Sequence, residues 1–161
     1  MDCSEFLKLD RSVVINKSFR WMPADTEKNY EKVKRQMDIP YGPHDIEYKY
    51  NNYGFRCDDF DSWENHPYRI LFAGCSITEG IGVPLKDLWA KRLHKMICKK
   101  LGMKIPYWTI ASGGTGIDHM TRYLYNIKDL LRPQIVISVL PDTVRRERWH
   151  EDRWSVWSFD L

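Results

Sequence analysis

"RILFAGCSITEGIGVPLKDLWAKRL" (residues 69–93) decides the fold. An apolar run stops abruptly at Gly74-Cys75-Ser76, a Thr, a Glu and two glycines follow, and a periodic segment then begins. A short continuous apolar run bounded by glycine reads as a strand covered on both faces, the pattern of a parallel sheet. Beyond Pro84, the residues Leu85, Trp89, Leu93, Met96, Ile97 and Leu101 recur at steps of three and four, and Gly102 follows. Proline near the start and glycine just past the end punctuate a helix.

The same alternation continues downstream. "IPYWTIAS" (residues 105–112) reads as a second strand, and Ile117, Met120, Leu124, Ile127 and Leu131 form a second helical stripe that Arg132-Pro133 stops. "PQIVISVL" (residues 133–140), rich in β-branched residues, reads as a third strand. Strand, helix, strand, helix, strand implies a parallel sheet with right-handed crossovers and helices layered on it.

The flanks differ. Residues 1–66 are polar and Tyr-rich and read as an N-terminal extension packed on an α/β core of residues 67–161. "PADTEKNYEKVKRQM" (residues 23–37) predicts one helix, with Asp25 or Thr26 as its cap and Tyr30, Val33 and Met37 on one face. "YKYNNYGFRCDDF" (residues 48–60) alternates and then turns at Gly54. The tail "RRERWHEDRWSVWSFDL" (residues 145–161) mixes charge with tryptophan. It reads as a solvated segment whose Trp residues cover the core. A basic-aromatic strip for a polyanion is the competing reading, which Glu147, Glu151 and Asp152 dilute.

Bulk properties bound the function. The chain has 161 residues, 43% hydrophobic and 29% charged, as expected of one globular domain. A net charge of +3 is too small to point to nucleic acid by itself. Cys3, Cys57, Cys75 and Cys98 form no CxxC pair, which argues against zinc. The N-terminus carries no apolar signal core, and no apolar run approaches the ~18 residues of a membrane span. The expectation is a reduced, cytoplasmic protein with no membrane partner.

In a parallel α/β sheet, ligands bind beyond the carboxyl ends of the strands. Ser76 falls there after the first strand, beside unpaired N–H groups of a helix start. A hydroxyl so placed can act as a nucleophile while N–H groups hold an oxyanion. "ASGGTGID" (residues 111–118) ends the second strand in small residues, and "VLPDTVRRE" (residues 139–147) puts Asp142 and Thr143 on the same rim. The candidate rim is Thr78, Glu79, Thr115, His119, Asp142 and Thr143. A phosphate loop would need GxxxxGK[ST], and a dinucleotide fingerprint a third glycine near Met120; neither is present. The bland alternative for Ser76 is a helix-cap or turn serine.

These blocks resemble the SGNH/GDSL hydrolase superfamily. "FAGCSITEGIGV" (residues 72–83) is similar to its GDS-x-T-x-G block, with Ser76 at the nucleophile, Thr78 at the following Thr, Gly80 and Gly82 at the trailing glycines, and Cys75 replacing Asp. "ASGGTG" is similar to the second block, with Gly114 at the oxyanion-hole glycine, and "NNYGFR" (residues 51–56) resembles a segment found upstream in a subgroup. The third block, normally GxND, reads "VLPD" here, with Pro141 or Asp142 where Asn is expected, and no DxxH follows.

The resemblance implies a three-layer sheet flanked by helices, SGNH-hydrolase or flavodoxin-like, incomplete at its C-terminal side: a divergent or C-terminally truncated member. It implies hydrolysis or transfer of an ester acyl group, such as acetate on a glycan, without metal or organic cofactor. Ser76 attacks, the N–H groups of Ser76 and Gly114 hold the oxyanion, and His150 or a residue outside this chain takes the proton. His119 is a second candidate base; His44 and His66 have no route to the site, and His94, among lysines in mid-helix, reads as solvated. A non-catalytic binding module that keeps the pocket is the alternative. An open parallel edge beside residues 133–140 predicts cover by the extension, the tail or a second copy.

Overall fold

The computed structural model describes residues 14–20, 27–35, 38, 41–42, 44–60, 66–150 and 153–158. Its elements, in chain order, are β1 (Ser18–Phe19), α1 (Glu27–Lys34), β2 (Tyr48–Lys49), β3 (Ile70–Gly74), α2 (Ser76–Glu79), α3 (Trp89–Leu101), β4 (Tyr107–Ala111), α4 (Ile117–Leu131), β5 (Ile135–Ser138), β6 (Arg145–His150) and β7 (Arg153–Ser158).

The three apolar runs form one parallel sheet in the order β4-β3-β5, with Gly74 beside Ala111 and Ala73 beside Ser138. All three carboxyl ends therefore open on the same edge. Pleat alternation sends Ile70 and Phe72 to one face, where Trp89, Ala90, Leu93 and Ile97 of α3 cover them. It sends Leu71 and Ala73 to the other, against Met120, Tyr123, Ile127 and Leu131 of α4. One helix lies on each face of a mostly buried sheet, as the alternation predicts. The chain leaves β3 for β4 on one side and crosses back to β5 on the other. The strand order thus reverses at β3, the position where open α/β sheets hold their ligands.

Part of the described extension packs against this core. Phe55 and Phe60 are buried against Trp108 and Tyr123, and Ile46, Tyr48 and Tyr50 form a smaller cluster with Phe19 and Ile81. Asn51 organises the connection. Its Oδ1 accepts the N–H groups of Tyr53 and Phe55, both at 2.9 Å, and its Nδ2 donates to the carbonyl of Asp58 at 3.1 Å. This Asx turn inserts Phe55 into the core and swings Arg56 toward the Ser76 loop.

Several boundaries shift from the sequence reading. The helix expected from Pro84 begins at Trp89, because Leu88 is extended (φ −56°, ψ 136°) and Leu85–Asp87 forms a separate 3-10 turn. The predicted caps Asp25 and Thr26, and Met37, lie outside the described residues. The described part of the tail forms an antiparallel hairpin, β6 on β7, which the sequence reading did not assign as strands. Beneath it, Asp118 accepts from Arg146 Nε at 2.7 Å and is held below the usual carboxylate range chiefly by that bond. Among the described residues nothing pairs with the outer edge of β5: β1 pairs only with β2 and β6 only with β7. Cover of that edge by extension or tail, two of the three expected covers, is therefore not what these residues do.

Gly74 is required by close approach. A Cβ there would meet Thr78 Oγ1 at 2.2 Å and the Val139 carbonyl at 3.0 Å. Gly74→Ala is expected to cost about 2 kcal/mol through overpacking at a strand end that cannot move away. Urea unfolding checks this, and a midpoint within error of wild type would refute it.

Candidate functional site

Ser76 is the first residue of α2, a single turn at the carboxyl end of the central strand. The turn closes at Gly80, which adopts the left-handed conformation at φ 80° and donates to the Ser76 carbonyl at 2.8 Å. A Cβ at Gly80 would also strike Leu88 Cδ2 at 1.9 Å, so the trailing glycine serves both conformation and packing. Ser76 N–H, at the first helical position, has no intrahelical acceptor. The half-buried side chain of Ser76 has one weak contact, to Cys75 Sγ at 4.0 Å. Its hydroxyl is thus uncommitted and set among backbone donors.

Three side chains hold this loop from below. Arg56 is buried and donates through Nη1 to the carbonyls of Glu79, Gly80 and Val83 at 3.2, 2.7 and 3.0 Å, and through Nη2 to that of Glu47 at 2.8 Å. The Glu79 carbonyl is one that the one-turn helix leaves unpaired, and the Gly80 carbonyl also accepts from Val83 N–H at 3.1 Å. Burial pulls the guanidinium pKa down, countered by Tyr48, Tyr50 and Glu79, and the Tyr48 ring lies 4.3 Å below it. Glu79, 2% exposed, accepts from Tyr50 Oη at 3.0 Å and from Gly113 N–H at 2.5 Å. The Glu79 carboxyl thereby ties the Ser76 loop to the loop after β4. Thr78 is fully buried, and its hydroxyl packs beneath Gly74.

The loop after β4 lies directly beside the serine. A Cβ built on Gly113 would stand 3.8 Å from Ser76 Cβ. Gly113 N–H is taken by Glu79, whereas Gly114, exposed at φ 79°, engages its N–H in no hydrogen bond among the described residues. Thr115 is buried and donates to the Ser112 carbonyl at 2.6 Å, fixing the turn. The structure therefore brings Ser76 and Gly113 together, with Gly114 next in the chain. It places Thr78, Glu79 and Thr115 under the rim as supports. Asp142 and Thr143 are exposed beyond β5, with Asp142 Oδ1 accepting from Val144 N–H at 3.2 Å.

The histidines have other surroundings in the described part of the chain. His119 is buried, with Nδ1 2.8 Å from Glu147 Oε1. Arg122 bonds both carboxylate oxygens of Glu147, through Nε at 2.8 Å and through Nη2. Burial alone would raise the pKa of Glu147, but the bonds from Arg122 and His119 outweigh it and hold the carboxyl below its ordinary value. This cluster fastens β6 to α4 and engages His119 through Nδ1. His150 ends β6 opposite Arg153, and its side chain lies outside the described residues. His94 is not solvated: its Nε2 sits 2.6 Å from the Ile105 carbonyl and 3.2 Å from Cys98 Sγ, and its ring lies 4.1 Å from that of Tyr107. It borders a cavity of about 340 Å³ with Asp58, Cys98 and Tyr107, at the amino end of β4, away from Ser76. Among the described residues no histidine nitrogen bonds the Ser76 hydroxyl.

Sequence reasoning missed Arg56 and Asn51, because a buried arginine bound to carbonyls leaves no periodic trace. The "NNYGFR" resemblance was the one signal that marked them. No family model, no curated protein and no solved structure matches this chain.

Proposed function

We propose that this protein is an SGNH-type serine ester hydrolase or acyl transferase in which Ser76 attacks the acyl carbon. The observation that carries the reading is the Ser76 hydroxyl at the start of α2, uncommitted among the described residues, beside Gly113, whose chain neighbour Gly114 keeps its N–H unengaged there. On attack, negative charge develops on the former carbonyl oxygen. The N–H groups of Ser76 and Gly114 are the donors that would stabilise it, helped by the short helix's exposed N–H groups. The buried supports Arg56 and Glu79 keep those donors fixed before substrate arrives, which is where preorganised electrostatics gains its effect. The substrate class is a small acyl ester or an acylated glycan. Cys57, Cys75 and Cys98 are free thiols, in keeping with a reducing, cytoplasmic setting.

The proton acceptor in this reading is His150 or a group from outside the chain. A second reading, a binding module that keeps the pocket without the chemistry, is favoured by the observation that no described histidine side chain bonds Ser76. Hydrolysis of a short p-nitrophenyl ester separates the two. Turnover that falls by at least ~10³-fold in Ser76→Ala supports the nucleophile, since removing a triad member usually costs that much or more. Turnover equal in both proteins refutes Ser76, and no turnover in either folded protein favours the binding module.

A further inference from the structure

The outer edge of β5 carries a self-complementary pattern. Ile135 and Val136 are about half exposed, and Leu140 is 67% exposed. Residues 133–141 bear no charge, while Arg132 and Asp142 bound them with opposite signs. Both flanking residues are exposed, and neither forms an ion pair among the described residues: Arg132 Nε reaches only the Asp129 carbonyl and Asp142 only Val144 N–H. A bare, uncharged parallel edge invites another strand.

Pairing geometry restricts which strand fits. Ile135 and Val139 donate inward to the Arg69 and Ala73 carbonyls of β3 at 3.3 and 3.1 Å. By pleat alternation, Val136 and Ser138 present their N–H and C=O groups outward. A second β5 running antiparallel satisfies both when Val136 faces the partner's Ser138. Counted along the chain beyond β5 in that register, position 132 of each protomer falls opposite position 142 of its partner, which sets Arg132 toward the opposite charge. A shift by two residues in either direction loses this match, and a parallel arrangement sets like charge against like. Two-fold symmetry doubles every contact, because such an interface is isologous.

We infer that two copies of this chain dimerise through antiparallel β5–β5 pairing, which joins the two three-stranded sheets into one continuous sheet with Arg132–Asp142 pairs at both ends. The Ser76 openings then lie at opposite ends of the shared sheet, because the two-fold axis reverses strand direction. The dimer stands independently of any catalytic role for Ser76.

Sedimentation velocity on the full chain, from about 1 to about 200 µM, tests this over the affinities that a small strand interface supports. The mass is expected to rise from 19.3 kDa toward twice that value. Ser138→Pro removes an outward N–H without touching the bonds to β3, a position where edge strands tolerate proline, and is expected to remain monomeric. Arg132→Asp and Asp142→Arg each weaken the dimer at least ~10-fold, and the double variant recovers it, the outcome that only facing charges produce. If Ser138→Pro fails to fold, the charge series decides alone. A wild-type chain monomeric at every concentration assigns the edge to a different partner and overturns the dimer. So does a dimer indifferent to all these substitutions.

Discussion

Arg56→Ala is expected to lower the unfolding free energy by about 3 kcal/mol and the melting temperature by roughly 10 °C. The residue is 2% exposed and donates to four backbone carbonyls drawn from two segments of the chain. Three of those carbonyls belong to the Ser76 loop and its exit; truncation removes the Arg56 partner from each, while Gly80 keeps the Val83 N–H, and a buried acceptor losing its partner costs more than a lost surface contact. The vacated volume beside Tyr48 adds a cavity term. Arg56→Lys is expected to rescue little of this, because an ammonium cannot span the fork that reaches both the Glu47 carbonyl and the loop. Differential scanning calorimetry provides the measurement. A shift under ~2 °C for Arg56→Ala would show that the loop holds itself. A further consequence tests the proposed function: if Ser76 is the nucleophile, Arg56→Ala, assayed well below its melting point, should react more slowly with a fluorophosphonate, since the loop that carries Ser76 loses its fixed position.

Glu147→Ala is expected to destabilise by a comparable amount, about 3 kcal/mol, and to release the β6–β7 hairpin from α4. The carboxylate is 2% exposed and joins His119 to Arg122, itself 9% exposed. Removing one partner from a buried charged cluster strands the others, and that penalty exceeds the value of the bonds themselves. Hydrogen exchange is expected to show the hairpin amides opening well before the central strand β3. Uniform loss across both would mean that the cluster holds the whole core and not the hairpin. The folded-state pKa of Glu147 lies below its ordinary 4.5, held there by Arg122 and His119 against the opposing effect of burial. A depressed carboxylate pKa gives stability that is fully present above the unfolded value and is lost as pH falls through the folded one. Glu147→Gln should therefore flatten the loss of stability below about pH 4.5, and a slope as steep as that of wild type would remove Glu147 from the acid response.

The three strands, their parallel order of formation and the two helices between them were legible in the chain because each rests on local signals. Residues 70–74, 107–111 and 135–138 are short apolar runs bounded by Gly or Pro, and the Ile117–Leu131 stripe has helical period and a stop at Pro133. The position of Ser76 beyond a strand end follows from the same reading, since a strand that stops at glycine must turn at its carboxyl end. That the loop after β4 lies beside Ser76 needed only the rule that parallel strands open on one edge. The hairpin was not legible: β6 reads "RRERWH", and charged side chains are poor strand formers unless something pairs them. That something is Asp118, His119 and Arg122 on a helix some 25 residues earlier, a contact visible only once α4 is folded. Glu79 reads as a rim residue in sequence because carboxylates usually seek water. Tertiary structure buries it, because Tyr50 and the Gly113 N–H supply partners from two other segments. What the sequence by itself determined is therefore whatever depends on the period of apolar residues and on glycine or proline stops, which act within a few residues. What only the tertiary structure decided is where polar and charged groups go, because their burial depends on partners that distant segments bring.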